Sequence, residues 1–186
     1  MDGVTVKPAD GDLELFAAWQ AGNRRAGAAL IERHYDAIMR FFRHKAGRSA
    51  EDLAQRTFLA FAHAAPTYRG HGTFKAWIFG IARNILLEHI RGRARDGRSD
   101  ADETPQSLAD LGPGVATMAA KKADQRRVAA ALRQLPRDMQ VLLELYYWEE
   151  LGVDDLATVL GVPAGTIKSR LHAARARLKA RLADPA

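Results

Sequence analysis

The 186 residues include no cysteine, which excludes disulfides and thiolate-bound metal and fits a chain made for a reducing cytoplasm. No run of about 18 apolar residues occurs, and the N-terminus lacks a basic segment followed by an apolar one. Neither membrane insertion nor secretion is therefore expected. Internal repeats and heptad arrays are missing too, which excludes solenoids and coiled coils. There is no HExxH and no carboxylate–histidine spacing of the kind a catalytic metal site needs, so the pattern offers no chemistry of its own and calls for no cofactor. A helical metal- or histidine-dependent enzyme would have to rely on His63, His71 and His89. His34 and Tyr35 read as core or core-edge residues, because no second ligand lies at metal-site spacing from His34.

A local absence is more informative. From Ala164 to Ala183 there is no acidic residue, whereas Lys168, Arg170, Arg175, Arg177, Lys179 and Arg181 all fall there. Ile167, Leu171, Ala174, Leu178 and Leu182 recur at spacings of three and four, which sets one face of a long helix for burial. Opposite lie the small residues Ser169, Ala173, Ala176 and Ala180, a strip that lets a backbone approach another surface closely. Val153 to Leu160 reads as a short helix with Asp154 and Asp155 in its first turn, and Gly161-Val162-Pro163 as a tight turn. Short helix, turn and long helix make a helix-turn-helix, whose second helix suits a DNA major groove. A solvated basic helix is the plainer alternative, and charge alone does not separate the two.

Hydrophobic residues make up 47% of the whole chain, which suffices for packed cores in one domain or two small ones, and the formal charge of +6 favours an acidic partner. Met1 to Gly11 has no periodicity and reads as a tail. Asp12 is placed as the N-cap of a helix carrying Leu13, Phe16 and Ala17, which ends at Gly22. Asn23 caps a second helix with Ala26, Leu30, His34, Ile38 and Phe41 or Phe42 inside, running to about Ala46. Ser49 opens a third with Asp52 in a capping-box-like arrangement and Leu53, Ala54, Phe58, Phe61 and Ala62 on one face. Pro66 to Thr73 is a loop. A fourth helix, Phe74 to about Arg93, is expected to bury Phe74, Trp77, Ile78, Ile81, Ile85 and Leu86 or His89.

Around that loop and helix, Tyr68, Arg69, His71, Lys75, Arg83 and Asn84 gather aromatic, basic and amide groups, with Arg91 further along the outer face. A site that stacks and reads unpaired bases needs such groups, although most of the aromatics in this stretch belong to a core. After Arg95, Ser99 to Gly114 holds four acids and no Lys or Arg, together with Pro105 and Pro113, and reads as a flexible acidic linker. Helical periodicity resumes near Met118 and passes through Val128, Leu132 and Leu135 before a helix begins at Pro136. The fold class is all-α, with a tail over 1–11, a first helical domain over 12–95, a linker over 96–117 and a helix-turn-helix domain over 118–183.

Three stretches in order carry a family resemblance: EDLAQRTFLAF at Glu51 to Phe61, FKAWIFGIARNILLEHIRGR at Phe74 to Arg93, and Leu135-Pro136 followed by DLATVLGVPAGTIKSRL at Asp155 to Leu171. With the linker between them, the chain resembles the extracytoplasmic-function (ECF) sigma factors of the sigma-70 family, which keep only regions two and four, over nearly all of Asp12 to Leu182. The resemblance implies a transcription initiation factor that binds core RNA polymerase through its clamp helices and flap, directs it to promoter DNA and helps melt the start site. It also implies an anti-sigma factor as partner. It assigns polymerase binding to the helix bearing Asp52, Gln55, Arg56 and Phe58, among which Phe58 and Asp52 also have ordinary core and capping explanations. Tyr68, Arg69, His71, Lys75, Arg83, Asn84 and Arg91 match the downstream-element and melting surface, where an extruded base needs a pocket to offset the few kcal/mol that unstacking costs. Thr166, Lys168, Ser169, Arg170, His172, Arg175 and Arg177 match the upstream-element surface. Ala173, His172, Gln140 and Gly80 depart from common family residues, so the upstream sequence preference does not carry over. A helix-turn-helix regulator acting without polymerase would share the C-terminal half but leave Glu51 to Arg93 unexplained.

Overall fold

A computed structural model describes residues 10–65, 72–95 and 127–183, and every regular element among them is helical. The chain divides into two compact units, the first comprising Met1–Pro105 with Thr158–Gly161 and the second Gln106–Ala157 with Val162–Ala186. The tail before residue 10, most of the 66–73 loop, the linker and the stretch from Met118 to 126 lie outside the described residues. No helix among those described is long and apolar enough to cross a membrane.

The first unit contains α1 (Asp10–Gln20), α2 (Arg24–Ala46), a 3-10 turn (Gly47–Ser49), α3 (Ala50–Ala64) and α4 (Phe74–Arg95). Asn23 caps α2 as expected, its side chain accepting from the backbone N–H groups of Arg25 and Ala26 at 3.1 and 3.3 Å. Ala26, Leu30, His34, Ile38, Phe41 and Phe42 of α2 are all buried. Rings from α1 and α4 converge on Phe61 of α3: Trp19 at 4.8 Å, Trp77 at 5.3 Å and Phe74 at 5.4 Å between centroids. Phe16 adds an edge-on contact to Trp77 at 5.5 Å. Such pairs favour offset and edge-to-face geometry and contribute beyond their buried area.

Four local expectations change. Asp12 is no N-cap: α1 starts at Asp10, and the Asp12 carboxylate is buried, accepting from Arg33 and lying 2.9 Å from His34 Nε2. A long-range partnership took a residue that local chemistry offers to capping. The buried line of α1 is accordingly Asp12 and Phe16, with Leu13 left exposed. Ser49 precedes α3 in helical backbone geometry and makes no side-chain capping bond, because the 3-10 turn already supplies the preceding helical residues. In α4 the buried set is Phe74, Ala76, Ile78, Phe79, Ala82, Ile85 and Leu86, while Trp77, Ile81 and His89 are half-buried. That helix is apolar over most of its circumference, so periodicity alone left its phase open.

The second unit contains α5 (127–133), α6 (Arg137–Tyr147), most of α7 (Val153–Leu160) and α8 (Ala164–Ala183). Its buried residues include Leu132, Leu135, Val141, Leu142, Leu145, Leu156, Ile167, Leu171 and Ala174. Between α5 and α6 the Gln140 amide donates to the carbonyls of Leu135 at 2.7 Å and Arg133 at 3.2 Å, satisfying acceptors that the end of α5 leaves open. Gly161 takes φ +66° after α7, a conformation that costs most side chains energy, and lets Val162 N–H reach back to the Ala157 carbonyl at 3.2 Å. Pro163 then accepts from Thr166 and Ile167, opening α8.

Gly27 is where α1 and α2 approach closely, since a Cβ there would lie 2.6 Å from the Trp19 indole. Because that ring is already seated on Phe61, Gly27→Ala should destabilise the first unit by about 1–3 kcal/mol despite alanine's better helix propensity. Urea denaturation followed by tryptophan fluorescence measures it, and an unchanged or higher midpoint would mean that Trp19 swings clear at no cost.

Burial pushes the His34 pKa below its ordinary value, with Lys75 and Arg33 acting in the same direction and Asp12 opposing. Arg33 already supplies the countercharge to Asp12, so His34 need donate only a neutral N–H. The unfolded chain therefore binds more protons near pH 6.5, and the stability this provides is present above that pH and lost as the pH falls through the lowered folded value. His34→Gln should flatten the loss of denaturation midpoint between about pH 7 and pH 5. An identical acid dependence in the variant would remove His34 as its source.

Candidate functional site

Packing on one side of each helix decides what the other side can present. In α3 the buried residues are Ala50, Leu53, Ala54, Thr57, Phe58 and Phe61, and Asp52, Gln55 and Arg56 are exposed. Leu59, four residues after Gln55, is 61% exposed on the same side. An exposed leucine beside a polar row suits a partner's apolar surface, and its spacing from Gln55 was the signal that sequence reading passed over. Phe58, by contrast, is 8% exposed and lies beneath Tyr35, the two rings stacked at 6.0 Å with a 16° tilt. The surface at that point is Tyr35, which is itself largely exposed. Arg56 reaches Glu88 of α4 at 3.5 Å, an exposed pair of small energetic weight.

The Thr73 hydroxyl accepts from Ala76 N–H at 3.1 Å at the start of α4, a cap that its position before an apolar helix could have signalled. Along α4, Asn84 and Arg91 are exposed two turns apart on one side, with Glu88 between them. Lys75 and Arg83 are half-exposed and lie off that line. Helix phase thus brings Asn84 and Arg91 together but not all four. Tyr68, Arg69 and His71 lie outside the described residues, so their relation to Asn84 is left to the sequence reading.

In α8, burial follows the expected stripe, with Ile167, Leu171 and Ala174 enclosed and Leu178 and Leu182 half-buried. Lys168, Ser169, Arg170, His172, Arg175 and Arg177 are exposed, and Thr166 is half-exposed at the first turn. Ser169 Oγ donates to the Thr166 carbonyl at 3.0 Å, which orients a hydroxyl still able to accept. Arg175 is not a free arm: its Nε donates to the Tyr147 hydroxyl at 2.8 Å. Arg177 Nη1 lies 3.9 Å from Met139 Sδ. Lys168, Arg170 and His172 keep long polar side chains at the N-terminal half of a helix whose exposed side carries no acid, the geometry that groove reading requires. Among the described residues no group of His, Asp and Glu side chains is placed to hold a metal ion.

Comparison with known proteins covers both units. A family model described as Sigma-70 region 2 matches residues 30–96, and one described as Sigma-70, region 4 matches residues 125–178. The chain is 30% identical over 176 residues to the RNA polymerase sigma-H factor of Pseudomonas aeruginosa, spanning 88% of this chain and 90% of that one. It is 33% identical over 169 residues to the ECF RNA polymerase sigma factor SigM of Mycobacterium tuberculosis, spanning 90% and 82%. Among solved structures it is similar to the sigma factor RpoE in complex with the anti-sigma factor NepR from Bartonella quintana, with a TM-score of 0.66, 25% identity, and 86% and 98% of the two chains covered.

The two readings of Phe58, core residue or interface residue, separate in stability measurements. Phe58→Ala should cost about 3–5 kcal/mol, as expected of a buried aromatic, whereas Gln55→Ala should stay within about 0.5 kcal/mol. Denaturant titration of both variants decides it, and a Phe58→Ala protein as stable as the parent would return that ring to the interface.

Proposed function

Because this chain belongs to the sigma-70 family of RNA polymerase sigma factors, and within it to the ECF group, we propose that it binds core RNA polymerase, carries it to specific promoters and assists their melting. It works in the cytoplasm as a binding factor, with no catalysis of its own. In this reading the exposed face of α3, with Asp52, Gln55, Arg56 and the added Leu59, docks on the polymerase clamp helices. Phe58 supports that face from within. Asn84 and Arg91, with Lys75, Arg83 and the loop residues Tyr68, Arg69 and His71, engage the downstream element as it opens. Thr166, Lys168, Ser169, Arg170, His172, Arg175 and Arg177 meet the upstream element as duplex. The second unit also contacts the polymerase flap, and 96–117 links the two DNA-reading domains. A relative's structure with a bound anti-sigma factor supports a similar restraint on this chain.

The observation that carries the melting assignment is the exposure of Asn84 on a helix whose apolar side is already filled by Ile78, Ala82 and Ile85. Its amide is not needed for packing, and an amide is suited to a base edge. Asn84→Ala should leave stability and polymerase association near those of the parent while promoter opening falls, since a lost base-reading hydrogen bond costs on the order of 1–3 kcal/mol. A template already melted at the start site should relieve the defect. Permanganate footprinting on duplex and pre-opened templates makes the comparison, and normal opening on duplex DNA would remove Asn84 from the melting surface.

A further inference from the structure

The Arg175 guanidinium is held from two sides. Besides the bond from Nε to the Tyr147 hydroxyl, its central carbon lies 5.0 Å from the Tyr146 ring centroid and 5.5 Å from that of Tyr147. The two rings stand edge to face, 4.9 Å apart and tilted by 84°. A guanidinium has five N–H donors, so with Nε engaged on Tyr147 and a further interaction with the Tyr146 hydroxyl, it is held in place while donors remain on its terminal nitrogens. The Tyr147 hydroxyl, having accepted from a cation, keeps its own O–H to give and is polarised toward an anionic acceptor. Tyr147 is 53% exposed.

We propose that Tyr147, in α6 and outside the helix-turn-helix itself, is a duplex-contacting residue that fixes Arg175 and donates with it to the same phosphate. The proposal rests on the reading of α8 as a duplex-binding helix. Bridging α6 to α8 for stability does not account for the pair, because exposed polar links contribute little and Val141, Leu145, Ile167 and Leu171 already bury the apolar faces of these helices. Preorganisation does account for it: an arginine held between two rings loses less side-chain freedom when it meets a phosphate. A contact to backbone phosphate adds affinity without choosing sequence.

The test is binding of the full chain to a random-sequence duplex across a range of salt concentrations, with Tyr147→Phe, Arg175→Ala and the double variant. Arg175→Ala should lower the salt slope by about 0.9, the value for one phosphate, whereas Tyr147→Phe, which removes no charge, should weaken binding about three- to tenfold with the slope nearly kept. The double variant should have the slope of Arg175→Ala alone. A residue that only packs would leave duplex affinity unmoved, whereas a shared contact makes the loss from Tyr147→Phe smaller once Arg175 is gone, and a thermal midpoint near the parent's checks that the fold is intact. If the parent shows no salt-dependent duplex binding, the reading of α8 falls and this proposal with it. If the parent binds but Tyr147→Phe keeps the parent's affinity, or binds more tightly because Arg175 is released, the shared phosphate contact alone is overturned.

Discussion

The first unit depends on one contact set, the convergence of Phe16, Trp19, Phe74 and Trp77 on the fully buried ring of Phe61. These rings come from α1, α3 and α4, so one cluster fixes the mutual rotation of three helices. That rotation turns Asp52, Gln55 and Leu59 outward on α3, and Asn84 and Arg91 outward on α4. Gly27 belongs to the same constraint, because only a residue without a side chain lets α2 lie against Trp19. At the other end of α1, the Asp12 carboxylate with Arg33 and His34 performs a similar task with polar groups, pinning α1 to α2 through a fully partnered buried acid.

The second unit reaches the same result with fewer and smaller side chains. Ile167, Leu171 and Ala174 seat one side of α8, and every long cation of that helix is consequently displaced to the exposed side. Gly161 sets where α8 begins, and Gln140 closes the turn between α5 and α6 with its amide. In both units, function is served by what the core leaves over: exposed polar rows whose phase is set by buried apolar ones.

How much of this was legible in the sequence follows the range of the interactions. The α8 stripe could be read because a buried face alternates there with an unbroken basic one, and Asn23 because its cap is made within three residues. Asp12 could not, since its partners are 21 and 22 residues away, and a cap is the only role that local chemistry suggests for it. The phase of α4 was misread where Phe79 and Ala82 are enclosed and Trp77 and Ile81 only half so, because a helix apolar nearly all round has no periodicity to give. The tether between Arg175 and Tyr147 spans 28 residues and joins two helices, so it became visible only in three dimensions. Leu59 was within reach of sequence reasoning, as an apolar residue one turn from Gln55 on the face opposite Phe61.

The central claim is that the two outward faces serve a single factor that gives core polymerase its promoters. Run-off transcription with core polymerase stripped of other sigma factors, on a library of genomic promoter templates with and without this protein, addresses it directly. The account predicts transcripts from discrete start points on a subset of templates, present only when the protein is added. A protein that binds duplex DNA but yields no start-specific transcript from any template would contradict it.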